Sequence, residues 1–313
     1  VDLFLAQLSN GIVLGALYAL IALGYTMVYG IIQLINFAHG EIFMVGAFGA
    51  LATWTFALQA DVAAVIALPV MLVGAVVASV LVAVTTERFA YRPLRNAPRL
   101  APLITAIGVS IALQEAVRLW WPVREGGDST TIGASGQQVF PRLISGSQVP
   151  FFGARINLTI IVVGAVCMVA LGLFVSRSRT GRAMQATAQD PDTARLMGVN
   201  VDRIIVTAFV LGASLAAVAG LMHGLKYGNI DARIGFIAGL KAFTAAVLGG
   251  IGNIPGAMLG GFFLGIVEAL ATQYMPGQFG GNAWKDVWAF VVLILVLVLR
   301  PQGLLGEKVR DRA

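Results

Sequence analysis

The chain has 313 residues, of which 58% are hydrophobic and 12% charged, with a formal net charge of +6. Soluble domains carry about 25% charged residues, so this composition excludes an ordinary soluble fold. The basic excess does not indicate a nucleic-acid surface either, because the Lys and Arg residues cluster in loops without interleaved aromatic residues.

Apolar runs of about 20 residues, the length of a helix that crosses a bilayer, recur along the chain. Predicted spans fall at 7–29, 41–58, 62–84, 101–121, 156–175, 204–225, 236–248, 255–271 and 284–299. The runs do not alternate with a period of two, which argues against an outer-membrane barrel. Helices pair every backbone group within the segment, as lipid requires. The expected fold is an all-α polytopic membrane protein with about 8 to 10 transmembrane helices, one or two of them broken or re-entrant. Residues 1–313 read as a single transmembrane domain. No basic n-region with a cleavage site precedes the first span, which is therefore expected to be retained.

The first break is expected at Asn36-Phe-Ala-His-Gly-Glu41. It places an amide, the His39 imidazole and the Glu41 carboxylate near a membrane boundary, where ionisable groups mark functional sites. The alternative is that His39 and Glu41 cap a helix among the headgroups.

Basic residues set the orientation. None precedes Arg88, and most then fall in three segments: Arg88, Arg92, Arg95 and Arg99; Arg177, Arg179, Arg182, Arg195 and Arg203; and Arg300, Lys308, Arg310 and Arg312. The positive-inside rule puts all three in the cytoplasm, with the C-terminus inside and the Gly- and Ser-rich stretch 122–154 outside. The span count between segments agrees with this at every step. Trp54, Trp120, Trp121, Trp284 and Trp288 then all lie near the outer interface, a depth that indole rings favour. Glu115 and Arg118 stand three apart on one helix face and are expected to pair. Cys167 is alone, so no internal disulfide or cysteine-based metal site exists.

The polar insert 176–203 separates two apolar spans on the cytoplasmic side. Within it, Asp190-Pro191-Asp192-Thr193-Ala194-Arg195-Leu196-Met197-Gly198 forms a complete short helix signal. Asp190 is a good N-cap, Pro191 fits the first helical position, Asp192 meets the positive helix end, and Gly198 suits a left-handed stop. Two turns do not hold alone in water, so this helix needs a partner surface or its own spans to pack on.

Gly249-Gly250-Ile251-Gly252-Asn253-Ile254-Pro255-Gly256 cannot be an uninterrupted helix, because the three glycines before Asn253 weaken it and Pro255 lacks a donor. Pro255 is expected to begin a second helix, with Asn253 or Ile254 near its cap. The break is either a cavity-lining half-helix whose N-terminus meets an anionic substrate group, or a plain turn between helices. A faint echo links 36–40 with 253–256. The Gly256-x-x-x-Gly260 and Gly261-x-x-x-Gly265 spacings predict close helix packing, within the chain or between subunits. Lys241 and Glu268 either line a path or pair across helices.

Several stretches carry a family resemblance. Tyr18-Ala-Leu-Ile-Ala-Leu-Gly-Tyr-Thr-Met-Val-Tyr-Gly30 and Ile35-Asn-Phe-Ala-His-Gly-Glu41 resemble the start of LivH-type permeases of bacterial branched-chain amino acid ABC importers. So do Glu87-Arg-Phe-Ala-Tyr-Arg-Pro93 and the run from Lys241 to Gly256, in collinear order over nearly the whole chain. Asp192-Thr-Ala-x-x-x-Gly198 is similar to a degenerate Glu-Ala-Ala-x-x-x-Gly loop, which in those permeases forms the coupling helix seated in the ATPase.

The resemblance implies an ATP-driven importer permease in the bacterial inner membrane that moves branched-chain or related amino acids inward by alternating access. Implied partners are a second, LivM-like permease, two cytoplasmic ATPase subunits, a periplasmic amino-acid-binding protein and membrane lipid, and no nucleic acid. The coupling residues are then Asp190 to Gly198, and the candidate translocation path comprises Asn36, His39, Glu41, Lys241, Thr244, Gly252, Asn253 and Pro255. No Walker-type loop, nucleophile elbow or metal-ligand spacing appears, so the chain is expected not to be an enzyme and to bind no cofactor or metal. ATP and Mg would belong to the partner ATPases. The rival reading is a secondary transporter of small amphipathic solutes, driven by an ion gradient.

Overall fold

The structure is a computed structural model that describes residues 2–33, 36–58, 62–95, 97–98, 100–124, 130–144, 149–281, 283–300 and 302–306. Ile35, Arg99, Lys308, Arg310, Arg312 and part of the 122–154 stretch lie outside them. The chain is almost wholly helical, as expected: α1 (Asp2–Ile32), α2 (His39–Ala52), α3 (Ala64–Thr86) and α4 (Leu100–Trp120) lead to short strands β1 (Pro122–Arg124), β2 (Thr130–Ile132) and β3 (Gln138–Val139). Then follow α5 (Arg155–Arg177), α6 (Arg179–Gln189), α7 (Pro191–Leu196), α8 (Val201–Tyr227), β4 (Asn229–Ile230), α9 (Ile234–Gly249), α10 (Ile254–Tyr274) and α11 (Lys285–Leu299).

Among the described residues, seven helical segments are long and apolar enough to cross a membrane, and α9 and α11 are shorter apolar helices of 16 and 15 residues. Each predicted span coincides with one of these helices. α1 is 89% buried over its most apolar window, against 22% for α3 and α4 and 17% for α5. The bundle is therefore built around α1, with α2, α8, α9 and α10 packed near it and α3, α4 and α5 presenting apolar side chains outward.

The predicted small-residue pattern finds its partner inside the chain. A Cβ placed on Gly15 would lie 2.6 Å from the Phe262 Cα, and one on Gly261 would lie 2.6 Å from the Ala19 backbone nitrogen. The α1 and α10 backbones touch with no side-chain layer between them, which is the purpose of small residues in helix contacts.

α1 stops where Gln33 adopts a left-handed φ of 55°, uncommon for a residue with a Cβ. Asn36 and Phe37 lead into α2. Ser79 on α3 donates to the Ile42 carbonyl at 2.9 Å, and the α2 backbone near Gly46 meets Ala217 on α8. The first turn of α2 is thus enclosed by protein.

At one end of the bundle, β1 pairs antiparallel with β2, and β3 with β4. Trp121 packs on Phe48 there, with ring centroids 5.7 Å apart. At the other end sit α6, α7 and the α9–α10 turn. α3 continues there through a wide turn, Glu87–Tyr91, in which the Arg92 N–H reaches the Glu87 carbonyl five residues back. Glu115 and Arg118 pair at 2.6 Å, as their spacing predicts.

Candidate functional site

The short helix α7 forms as its sequence dictates. Asp190 Oδ1 accepts from the backbone N–H of Asp192 at 3.0 Å and of Thr193 at 3.1 Å. Its Oδ2 accepts from the Thr193 hydroxyl at 2.5 Å. These bonds stabilise the ionised cap and hold the Asp190 carboxyl below its ordinary pKa, the Thr193 hydroxyl contributing most. Asp192 and Arg195 pair across one turn at 2.7 Å.

The helix ends in a left-handed stop. Gly198 has φ 84°, the Gly198 N–H donates to the Arg195 carbonyl, and the Val199 N–H donates to the Ala194 carbonyl, each at 3.0 Å. The six-to-one bond satisfies a carbonyl that the helix end would otherwise leave bare. Ala194 is 4% exposed and joins the hydrophobic core, whereas Leu196 and Met197 are 88% and 80% exposed. α7 therefore has an anchored face and a free apolar tip. Asn200 accepts from the Arg203 N–H at 3.1 Å and starts α8 at once, so α7 and α8 are joined without slack.

The residues predicted for a path divide into three places. Asn36, His39 and Glu41 gather at the first turn of α2 and are buried. Tyr91 donates to Asn36 Oδ1 at 2.7 Å. The His39 ring meets the Tyr25 ring edge-on, with centroids 4.7 Å apart. Glu41 Oε1 accepts from Ser110 at 2.9 Å and from Gln114 at 2.8 Å, both on α4. Neither His39 nor Glu41 caps the helix: the cap position is Ala38, with no side-chain bond. Among the described residues, Asn36 Nδ2, His39 Nε2, Glu41 Oε2 and the Tyr25 hydroxyl have no hydrogen-bond partner, an unusual density of unpaired polar atoms for a protein interior. A small apolar pocket lined by Tyr25, Tyr29, Phe243, Ala246 and Ile251 adjoins Tyr25.

Lys241 and Thr244 lie buried on α9. Lys241 is held by Glu268 and Tyr18, and Thr244 donates to the Leu240 carbonyl of its own helix at 2.9 Å. The ion pair across helices is thus the arrangement realised for Lys241 and Glu268.

Gly252, Asn253 and Pro255 form the α9–α10 turn. Asn253 caps α10 by accepting from the Gly256 N–H at 3.0 Å, with Pro255 in the first turn. The Asn253 amide also donates to the Leu305 carbonyl at 2.9 Å. Its side chain is committed to the chain itself, and the break is a turn between helices. The echo with 36–40 does not extend to structure, because Asn36 makes no such cap.

One group of residues was not singled out from sequence as a site. Arg95 contacts both Glu87 and Asp202, and Arg92 also reaches Asp202 at 3.0 Å. The Glu87 to Pro93 motif overlaps it, but Asp202 lies more than a hundred residues later.

The family described as "Branched-chain amino acid transport system / permease component" matches residues 7–297. The chain is similar to the high-affinity branched-chain amino acid transport system permease protein BraD of Pseudomonas aeruginosa, at 48% identity over 97% of this chain and 96% of the relative. It is similar to the corresponding permease protein LivH of Escherichia coli K12, at 45% identity over 97% and 96% of the two chains. A probable LivH permease of Methanocaldococcus jannaschii is 27% identical over 96% of this chain and 91% of the relative. With helices enough for a polytopic bundle and collinear similarity from end to end, the chain belongs to the branched-chain amino acid transport system permease family.

Proposed function

We propose that the chain is the membrane permease subunit of an ATP-driven importer that carries branched-chain or related amino acids from periplasm to cytoplasm. The whole chain acts as one permease domain in the inner membrane, with α6, α7 and the C-terminus in the cytoplasm and the β1–β4 end outside. A second, LivM-like permease completes the path, a periplasmic binding protein delivers the amino acid, and two cytoplasmic ATPases supply ATP and Mg. This chain carries no cofactor of its own and does no chemistry on the solute.

The observation that carries the reading is α7. A capped helix with Ala194 anchored in the core and Leu196 and Met197 fully presented is built to seat an apolar tip in a partner's groove. Residues Asp190 to Gly198 are the docking segment. ATP binding on the partners displaces α7, and alternating access follows. In the ion-driven rival, Glu268 and Glu41 are the acids available to carry a proton or cation, but Glu268 is already engaged by Lys241 and Tyr18, and Glu41 alone is too few.

The path residues are Asn36, His39 and Glu41 at the start of α2, with Lys241, Thr244 and the Gly252, Asn253 and Pro255 turn supporting the helices around them.

The test is co-purification. Leu196→Glu with Met197→Glu is expected to leave the permease in the membrane and to strip both ATPases from it, abolishing uptake. Uptake that persists without any ATPase and collapses with an uncoupler would overturn the proposal.

A further inference from the structure

The motif Glu87 to Pro93 has no role in the docking segment or the path, yet its side chains reach Asp202 at the start of α8 and Asn36 of the path. Asp202 is the second residue of α8, the helix that follows α7 in the chain. Its Oδ1 lies 2.5 Å from an Arg95 guanidinium nitrogen, and its Oδ2 lies 3.0 Å from Arg92. Arg95 uses its other terminal nitrogen to grip Glu87, whose side chain is 2% exposed. The Arg92 contact is half-exposed and screened, and adds little. The Arg95 fork, bridging a buried carboxylate and Asp202, is the firm one.

Glu87 opens the wide turn at the end of α3, and Tyr91 closes it. A five-residue backbone hydrogen bond inside a helix is rare and recurs at functional positions. The Tyr91 ring packs against Phe209 of α8 at 5.7 Å, and its hydroxyl donates to Asn36 at 2.7 Å. Asn36 in turn accepts, through its carbonyl, the His39 N–H that begins α2. Side-chain contacts therefore join Asp202, at the start of α8 just after α7, to Arg95 and Glu87; the wide backbone turn joins Glu87 to Tyr91; and the Tyr91 hydroxyl reaches Asn36 ahead of the buried first turn of α2.

We propose that Asp202, Arg95, Glu87 and Tyr91 are positioning residues of the transport cycle: they carry a displacement of α7 across the bundle to Asn36 and the start of α2. The inference rests on the reading of α7 as the ATPase-docking helix. Packed elements transmit motion where they share rigid contacts, and a succession in space becomes coupling only when substitutions along it prove non-additive.

The test uses the complete complex, with second permease, ATPases and binding protein, reconstituted in liposomes. Asp202→Asn, Arg95→Gln, their double variant and Tyr91→Phe are compared for solute taken up per ATP hydrolysed. Each is expected to keep both ATPases bound and to lower that ratio by about tenfold, the double variant being no worse than either single one. Tyr91→Phe removes one hydroxyl and leaves the packing, so it decides the matter if an Arg95 variant fails to fold. A merely structural brace would lower yield or thermal stability with the ratio unchanged. An unchanged ratio in Asp202→Asn and Tyr91→Phe, losses that multiply in the double variant, or loss of ATPase binding in Asp202→Asn would each overturn the linkage. Failure of the docking reading shows elsewhere, as full ATPase binding by the Leu196→Glu and Met197→Glu variant.

Discussion

Lys241 on α9 meets Glu268 on α10 at 2.6 Å, with both side chains all but fully buried. Tyr18 on α1 donates to the second Glu268 oxygen at 2.9 Å and accepts from Lys241 at 3.1 Å. Asp286 on α11 adds an ionic contact to Lys241 at 2.5 Å, though not with the angles of a hydrogen bond. One ammonium thus ties four helices together in an apolar interior.

Removing the cation should be costly. Lys241→Met leaves two carboxylates facing each other without a counter-charge, and breaking a buried pair costs about 3–5 kcal/mol. Thermal unfolding in detergent should shift down by several degrees. Adding Glu268→Gln, which keeps an acceptor for Tyr18, should recover most of the loss. A single variant as stable as the wild type would show that the pair contributes nothing.

The α1–α10 contact gives a contrast between two glycines. Gly15→Val drives a side chain into the Phe262 backbone, 2.6 Å from its first added atom, where neither helix can yield. Overpacking costs about 1–3 kcal/mol where side chains can shift, and more against backbone. Membrane-inserted, folded protein should fall sharply. Gly108→Ala on α4 meets nothing within 4 Å and should be neutral or slightly stabilising. Equal yields from the two variants would contradict the packing account.

Asp190→Ala should loosen α7 without unfolding the bundle. Two backbone N–H groups and the Thr193 hydroxyl lose their acceptor. Amide exchange at Asp192 to Val199 should quicken several-fold while α8 stays protected. The native pKa of Asp190 is depressed, so its contribution is present above the unfolded value and is lost as pH falls through the native one. The cap therefore persists across neutral pH and fails only in acid, below the ordinary Asp pKa of about 4. Exchange from α7 that already accelerates between pH 8 and 6 would assign the effect to another group.

Ala194→Glu and Gly198→Lys should both disrupt ATPase binding, for different reasons. The first forces a charge into the core position that anchors α7. The second places a Cβ at φ 84°, where the left-handed conformation costs about 1–2 kcal/mol. Gly198→Asn tolerates that conformation better and should retain most binding. Wild-type recovery of both ATPases and normal transport by the first two variants would contradict the anchoring account.

Much of this was legible in the sequence because it is local. Apolar runs located the helices, and Asp190, Pro191 and Gly198 wrote the start and stop of α7 within nine residues. Pro255 and Asn253 likewise fixed the beginning of α10. What escaped is long-range. Gly261 and Gly265 announced a close contact, but not that its partner was α1. Arg95 and Asp202 each look like ordinary loop charges until the fold joins them. Lys241 and Glu268 left open whether they faced a path or each other, since a one-dimensional pattern does not say which helices adjoin. The unpaired atoms around Asn36, His39 and Glu41 were visible as polar residue types but not as a shared enclosure.

The glycine-lined seam between α1 and α10 also limits how the bundle can change shape. Side chains that interdigitate can swap rotamers and let helices slip, whereas main chains in direct contact have no such bearing surface. α1 and α10, with α9 tied to α10 through Lys241, therefore behave as one keel. Any opening and closing of the bundle must come from elements hinged against that keel, so distance probes placed along α1 and α10 should hold constant throughout a turnover while those on α3 and α4 do not.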